Sequence, residues 1–253
     1  MTRARLAAFG DPRVPIRALR GVPSFLRNLR TYRARAAEAP RSLRLRWPLL
    51  YPRLADRYEQ AGQAEGHYFH QDIWAARRIH EAEPPLHVDV GSRLDGFVAH
   101  LLAFRSVLAV DIRPLSTSQP GLQFIQADVC SLPFGDRELP SVSCLHAMEH
   151  VGLGRYGDDV DPVGCFTGMR ELQRVLAPGG RLYFSVPVGR ERVEFDAHRV
   201  LAPATVTASF PELRLVEFAA VDDDGRYREG VRPSDFADAN YACGLFLFER
   251  PAP

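Results

Sequence analysis

No lysine occurs anywhere in the 253 residues, so all 32 basic side chains are arginine; we attribute this to codon usage rather than to function. No apolar run approaches the roughly 18 residues that a membrane span requires. The arginine-rich start, "MTRARLAAFGDPRVPIRALRG", has no continuous apolar stretch of the kind that drives secretion, and a cytoplasmic protein is expected. Cysteine is scarce. Cys130, Cys144, Cys165 and Cys243 are far apart and form no C-x-x-C pair. That argues against a disulfide framework or a zinc site, and for buried thiols in a reducing compartment. No internal repeat or low-complexity tract is visible.

A 46% share of apolar residues and 25% of charged ones describe an ordinary globular chain, long enough for one α/β domain with an extension. The net charge of +1 conceals an asymmetry. Residues 1–57 hold 14 Arg against Asp11, Glu38 and Asp56, a net of +11; the remainder carries a net of −10. A basic arm of this kind suits an anionic lipid surface, nucleic acid or a polyanionic partner. It equally suits the acidic body of its own chain or of a second copy, as in a homodimer. Phe25, Leu26 and Leu29 among Arg27, Arg30 and Arg33 suggest an amphipathic helix, hence peripheral contact with the inner membrane face. Pro12, Pro15, Pro23, Pro40, Pro48 and Pro52 predict that only short helices fit in this arm. We therefore divide the chain into a proline-broken extension, residues 1–60, and a domain at 61–253.

From Tyr68 to Glu81 there is no Gly or Pro, and the apolar spacing predicts a helix that Pro84 ends. Alternating units follow. Strands are expected at Leu86–Val90, Val107–Asp111, Leu122–Gln126, Val142–His146 and Arg181–Val186, with helices at Leu94–Phe104 and Cys165–Leu176. Apolar strands alternating with helices mean a mostly parallel sheet with helices on both faces. The runs "ELRLVEFAAV" and "YACGLFLFER" predict an antiparallel C-terminal hairpin closing one edge.

The segment "LHVDVGSRLDGF" has the build of a nucleotide loop without its glycine density. Gly91 is followed by Ser92, Arg93, Leu94 and Asp95 before Gly96 arrives. Asp111 ends the second strand, where a carboxylate suits two ribose hydroxyls. Asp128 ends the third, where a carboxylate suits an adenine amino group. A dinucleotide needs a bare helix N-terminus for its pyrophosphate. Asp95 at that point would repel phosphate, which favours a phosphate-free cofactor and disfavours an NAD-dependent oxidoreductase.

In order, "HVDVGSRLDG", "AVDIRP", "IQADVCSLPF", "LHAMEH" and "ELQRVLAPGGRLYFSVPVG" resemble the motif series of class I S-adenosylmethionine-dependent methyltransferases. More closely, "YFHQDIWAARRI", "HVDVGSRLDGFVAHLL", "EHVGLGRYGD" and "FDAHRVL" resemble a little-characterised bacterial group known as domain of unknown function 268. The likeness spans about residues 45–253. It implies a Rossmann-like methyltransferase fold and S-adenosylmethionine as cofactor, held by Asp89, Gly91, Ser92, Asp111, Ile112, Asp128, Val129 and His146. It implies no particular substrate.

An alcohol acceptor needs a base, and histidine is the natural one near neutral pH. His146, Glu149 and His150 follow the fourth strand, and His198 lies in the loop after the fifth. These four are the candidate catalytic residues, His150 and His198 foremost. Tyr68, His70 and Gln71 are pocket candidates by analogy. No metal is expected: His67 and His70 lack a third ligand, and Asp158, Asp159 and Asp161 read as helix caps rather than as a cation site. The expected function is methylation of a small-molecule, sugar or glycan oxygen. The alternatives are an N-methyltransferase of a small amine and a non-catalytic scaffold at a membrane. An N/D-P-P-Y/F motif is absent after the fourth strand, so nucleic acid is not an expected partner.

Overall fold

The computed structural model describes residues 13–38, 40–41, 44, 50–58, 62 and 64–252. By its internal contacts the chain divides into two compact units, Met1–Gln63 and Ala64–Pro253.

In the first unit, one helix, α1 (Arg13–Arg35), passes straight through Pro23. The expectation of short, proline-broken helices is therefore corrected. Pro15 falls in the first turn, where no helical N–H partner is lost. Pro23 deprives only the Leu19 carbonyl, and both residues are exposed, so water can satisfy that group. Pro40 and Pro52 lie outside the helix, and Pro12 and Pro48 fall outside the described residues.

The second unit opens with α2 (His67–Ala82). Gln71, Trp74, Ala75 and Ile79 form its buried face, and Glu83 ends it in the left-handed conformation, bonding back to Ile79 ahead of Pro84. Then come β1 (Val88–Val90), a π-helical turn at Leu94–Val98 leading into α3 (Ala99–Leu102), β2 (Val107–Asp111) and β3 (Leu122–Gln126). The helix expected at Leu94–Phe104 is thus wider-wound at its start and shorter at its end. The chain continues with β4 (Leu139–Leu145), α4 (Gly164–Val175) and the long β5 (Leu176–Val188). A small hairpin follows, β6 (Arg192–Glu194) with β7 (His198–Val200), then α5 (Pro203–Ala208), β8 (Arg214–Val221), β9 (Tyr227–Arg228) and β10 (Ala242–Glu249).

The main sheet has the order β3-β2-β1-β4-β5-β10-β8-β9. Pairings from β3 to β5 are parallel, and β10 pairs antiparallel with both β5 and β8. The expected mixed sheet with an antiparallel C-terminal hairpin is what forms, with β10 inserted beside β5 and β9 at the edge. Period-2 alternation sends Phe246 and Phe248 into one apolar layer with Phe184, Met169 and Leu172. Leu245 and Leu247 enter the opposite layer with Trp74, Ile79, Phe97 and Leu101. The strand order reverses between β1 and β4. In open α/β sheets, ligands bind beyond the strand ends at such a switch point.

Candidate functional site

A cleft open to solvent lies beyond the carboxyl ends of β1, β2 and β4. Gly91, Asp111, Ile112, Asp128, Val129, His146 and His150 all line it, so residues far apart in sequence meet as expected. Gly91 has a φ of 75°, and a Cβ there would sit 2.9 Å from the Ala147 Cβ. Only glycine suits both demands.

Asp89 and Ser92 do not face this cleft; they build its floor from below. Asp89 is 1% exposed, and Oδ1 accepts from Ser92 Oγ at 2.7 Å and from Ser143 Oγ at 2.6 Å. Its Oδ2 accepts the Ser92 N–H at 3.2 Å. Ser92 Oγ in turn accepts the Leu145 N–H, tying the loop to β4. The serine in place of a second glycine is thus a cross-strand brace. Burial pushes the Asp89 carboxyl up to about 6, against the opposing hydrogen bonds from Ser143 and Ser92.

The chain of bonds continues to His87, whose ring lies 3.0 Å from Ser143 Oγ and 2.8 Å from Ser141 Oγ. Because Ser143 donates to Asp89, His87 Nε2 must carry the proton that Ser143 accepts, leaving Nδ1 to accept from Ser141. Burial holds His87 down at about 3. Sequence reasoning missed His87, since its partners lie on β4, more than fifty residues away.

Asp111 is occupied. Its carboxylate accepts from the Arg113 backbone N–H at 2.8 Å and from two guanidinium nitrogens at 2.9 and 2.7 Å. The guanidinium also lies 4.6 Å from the Tyr156 ring centroid. A ribose reaching Asp111 must share it with Arg113 or displace it. Asp128 caps the short turn Val129–Ser131 through the Cys130 N–H. Asp95 is exposed, in the first turn after Arg93, and forms an ion pair with it at 3.0 Å. Arg93 also covers Tyr68, which lines the cleft. Arg113, Met148 and Tyr156 line it as well and were not anticipated; the glycine-flanked aromatic in "GLGRYGD" was the available signal. His70 stacks on Tyr227 and Gln71 accepts from Ser185, so neither belongs to the lining.

The four catalytic candidates separate. His146 has a left-handed backbone, φ 49°, uncommon outside glycine. Its Nδ1 lies 2.7 Å from Glu149 Oε1, and both side chains are almost fully buried. Burial pulls His146 down, but Cys243 and Glu149 outweigh it and hold the ring well above its usual value. Burial likewise pushes Glu149 up, and His146 more than reverses this, leaving the carboxyl below its usual value. His150 Nδ1 donates to the Ala197 carbonyl at 2.6 Å, which leaves Nε2 as the acceptor, 3.7 Å from Glu149. Burial lowers His150, offset partly by Glu149. His198 contacts Tyr241 and Glu194 and is not part of the cleft lining. The two loops do converge, yet they bring the Ala197 carbonyl, not His198, to His150.

Asp158 accepts backbone N–H groups of Gly152, Gly154 and Tyr156, and Asp161 accepts that of Val163. Both act as loop and cap residues.

Among solved structures, the N-methyltransferase NodS from Bradyrhizobium japonicum superposes with a TM-score of 0.50 at 14% identity, covering 75% of this chain and 99% of that one. The fold is that of the class I methyltransferases. A candidate sarcosine dimethylglycine methyltransferase from Galdieria sulphuraria gives 0.51 at 11% identity, over 72% and 86% of the two chains. The [4+2]-cyclase SpnF gives 0.52 at 14%, over 76% and 86%. Its presence shows that this fold alone does not dictate the reaction. A family profile described as "Caenorhabditis protein of unknown function, DUF268" matches residues 137–219, a third of the chain. That description names a nematode genus and does not support the bacterial label expected for the group. No curated protein matches the sequence.

Proposed function

We propose that the protein is an S-adenosylmethionine-dependent methyltransferase that methylates an oxygen of a small-molecule or saccharide acceptor. The observation that carries this reading is the placement of Asp111 and Asp128 on one cleft with an apolar wall of Val90, Ile112, Val129 and Met148. Two carboxylates suit ribose hydroxyls and an adenine amino group, and the apolar wall suits the purine face. Asp95 at the helix entry disfavours a phosphate there. The choice of oxygen over nitrogen rests on His150, which lines the cleft and whose neutral Nε2, 3.7 Å from Glu149, can take a hydroxyl proton. An amine acceptor would need only to be neutral.

Calorimetric titration with S-adenosylhomocysteine tests the cofactor grip. Asp111→Ala should weaken binding by about 1.5–3 kcal/mol, the usual worth of hydrogen bonds to a charged group. Arg113→Gln should tighten it, because the competing guanidinium is removed. Unchanged affinity in both variants would place the ribose elsewhere.

The arm carries a second reading, contact with an anionic bilayer. Ile16, Leu19 and Leu26 of α1 are 58%, 74% and 44% exposed. At helical spacing Arg20, Arg27 and Arg30 flank them on the same side of the helix, and α1 contains no acidic residue, so apolar bodies and guanidinium groups are presented together. Such a helix lies flat at a headgroup boundary, with about 1 kcal/mol per basic residue near an anionic surface. No described helix is long and apolar enough to cross a membrane. The protein should sediment with vesicles containing phosphatidylserine at low salt. The Leu19→Glu, Leu26→Glu double variant should not, and high salt should release the wild type. A wild type that stays in solution beside anionic vesicles refutes the contact.

A further inference from the structure

His67 is the first residue of α2, His146 follows β4, and Cys243 is the second residue of β10. The fold brings these three distant positions together, with one ligand-type atom from each lying within 4.8 Å of the others. His146 and Cys243 are buried and His67 is partly so. The sequence offered His67 with His70 and no third ligand; the sheet exchanges His70 for His146 and adds the thiol.

Four further observations point to a ligand. Among the described residues the buried His146 Nε2 has no hydrogen-bond partner of ordinary length, although Nδ1 is held by Glu149 at 2.7 Å. A carboxylate on the far nitrogen of a histidine is the arrangement that orients and strengthens metal-ligating imidazoles. The His67 ring is likewise held, by the Tyr241 backbone carbonyl. The Cys243 thiol lies a long 3.9 Å from the Gly244 carbonyl and faces the His146 ring. Finally, His146 keeps its strained left-handed backbone while both the Ser185 carbonyl and hydroxyl receive its N–H. Strain of this kind persists where the surroundings over-determine a functional position.

We propose that His67, His146 and Cys243 bind one zinc-class transition-metal ion, oriented through Glu149. Two imidazoles and one thiolate are the donors that borderline-soft Zn²⁺ and Co²⁺ prefer over Mg²⁺ or Ca²⁺. Metal–ligand bonds of about 2.0–2.3 Å draw such donors nearer than 4.8 Å, which small side-chain rotations supply. Three protein ligands leave a fourth position for water or an incoming oxygen or sulfur, the pattern of catalytic rather than structural sites. His146 also lines the cleft, so the ion stands at its wall. Delivery of an acceptor hydroxyl to that position rests on the methyltransferase reading; binding of the metal does not.

Chelator-treated full-length protein titrated with Co²⁺ tests the site. One equivalent should produce the visible bands of tetrahedral cobalt and a near-ultraviolet thiolate charge-transfer band, and Zn²⁺ should erase both. Cys243→Ser should remove the charge-transfer band, while Cys165→Ser should keep it. Glu149→Gln should lower affinity about 10–100-fold, and His67→Ala by more. No stoichiometric band, or a band that survives Cys243→Ser, overturns the site. If Cys243→Ser does not fold by circular dichroism, unchanged affinity in both His67→Ala and Glu149→Gln overturns it equally.

Discussion

His150→Ala is expected to lower turnover by about 10²–10⁴-fold, the contribution of a positioned acid–base group. The Ala197 carbonyl fixes Nδ1 as the protonated nitrogen, so Nε2 presents its lone pair without any tautomer search. Methyl transfer is an in-line displacement, and the hydroxyl must shed its proton as the oxygen attacks. Affinity for the cofactor should scarcely change, since Asp111 and Asp128 remain. The base works only when neutral. Burial lowers the His150 pKa, so the rate should fall on acidification through a limb below 6.5, and the variant should lack that limb. His198→Ala should keep near-normal turnover, because His198 stands against Tyr241 and Glu194. Near-normal turnover in His150→Ala, with a rate that simply rises with pH, would instead indicate an amine acceptor.

The second large effect concerns acid stability. His87, held at about 3, takes its proton later in the folded chain than in the unfolded one. Its contribution is intact above 6.5 and is lost as pH falls toward 3, about 5 kcal/mol in all. Asp89 acts in reverse. Its folded pKa of about 6 exceeds the unfolded 3.8, so acidification between those values restores about 3 kcal/mol. Between pH 6 and 4 the two proton uptakes nearly cancel in the wild type. Asp89→Asn removes one of them. Its stability in urea should then decline relative to wild type by about 1.4 kcal/mol per pH unit across that window. Parallel curves for the two proteins would mean that Asp89 does not carry its shift.

Much of this site could be read in advance because its signals are local. Asp111 and Asp128 each follow an apolar run directly, so strand and strand-end acid are read in one stretch. The phosphate-averse Asp95 is similarly next to its loop. What escaped was relational. Ser92 looks like a missing glycine until Asp89 and Leu145 are seen to bond it across strands. His87 needs β4, and Cys243 needs the insertion of β10 beside β5, which no spacing between positions 67, 146 and 243 reveals. His198 was misplaced toward the cleft because its loop does approach His150, but through a backbone carbonyl. The arm was misread since proline was weighed by its lost hydrogen bond alone; an exposed carbonyl that water can reach makes that loss tolerable in α1.

The central claim is a phosphate-free adenosine cofactor at the switch point between β1 and β4. Isothermal titration of the wild type with S-adenosylhomocysteine and, separately, with NAD⁺ tests it most directly. The homocysteine compound should bind at one equivalent, and NAD⁺ should bind far more weakly or not at all. NAD⁺ binding tighter than S-adenosylhomocysteine would contradict the account.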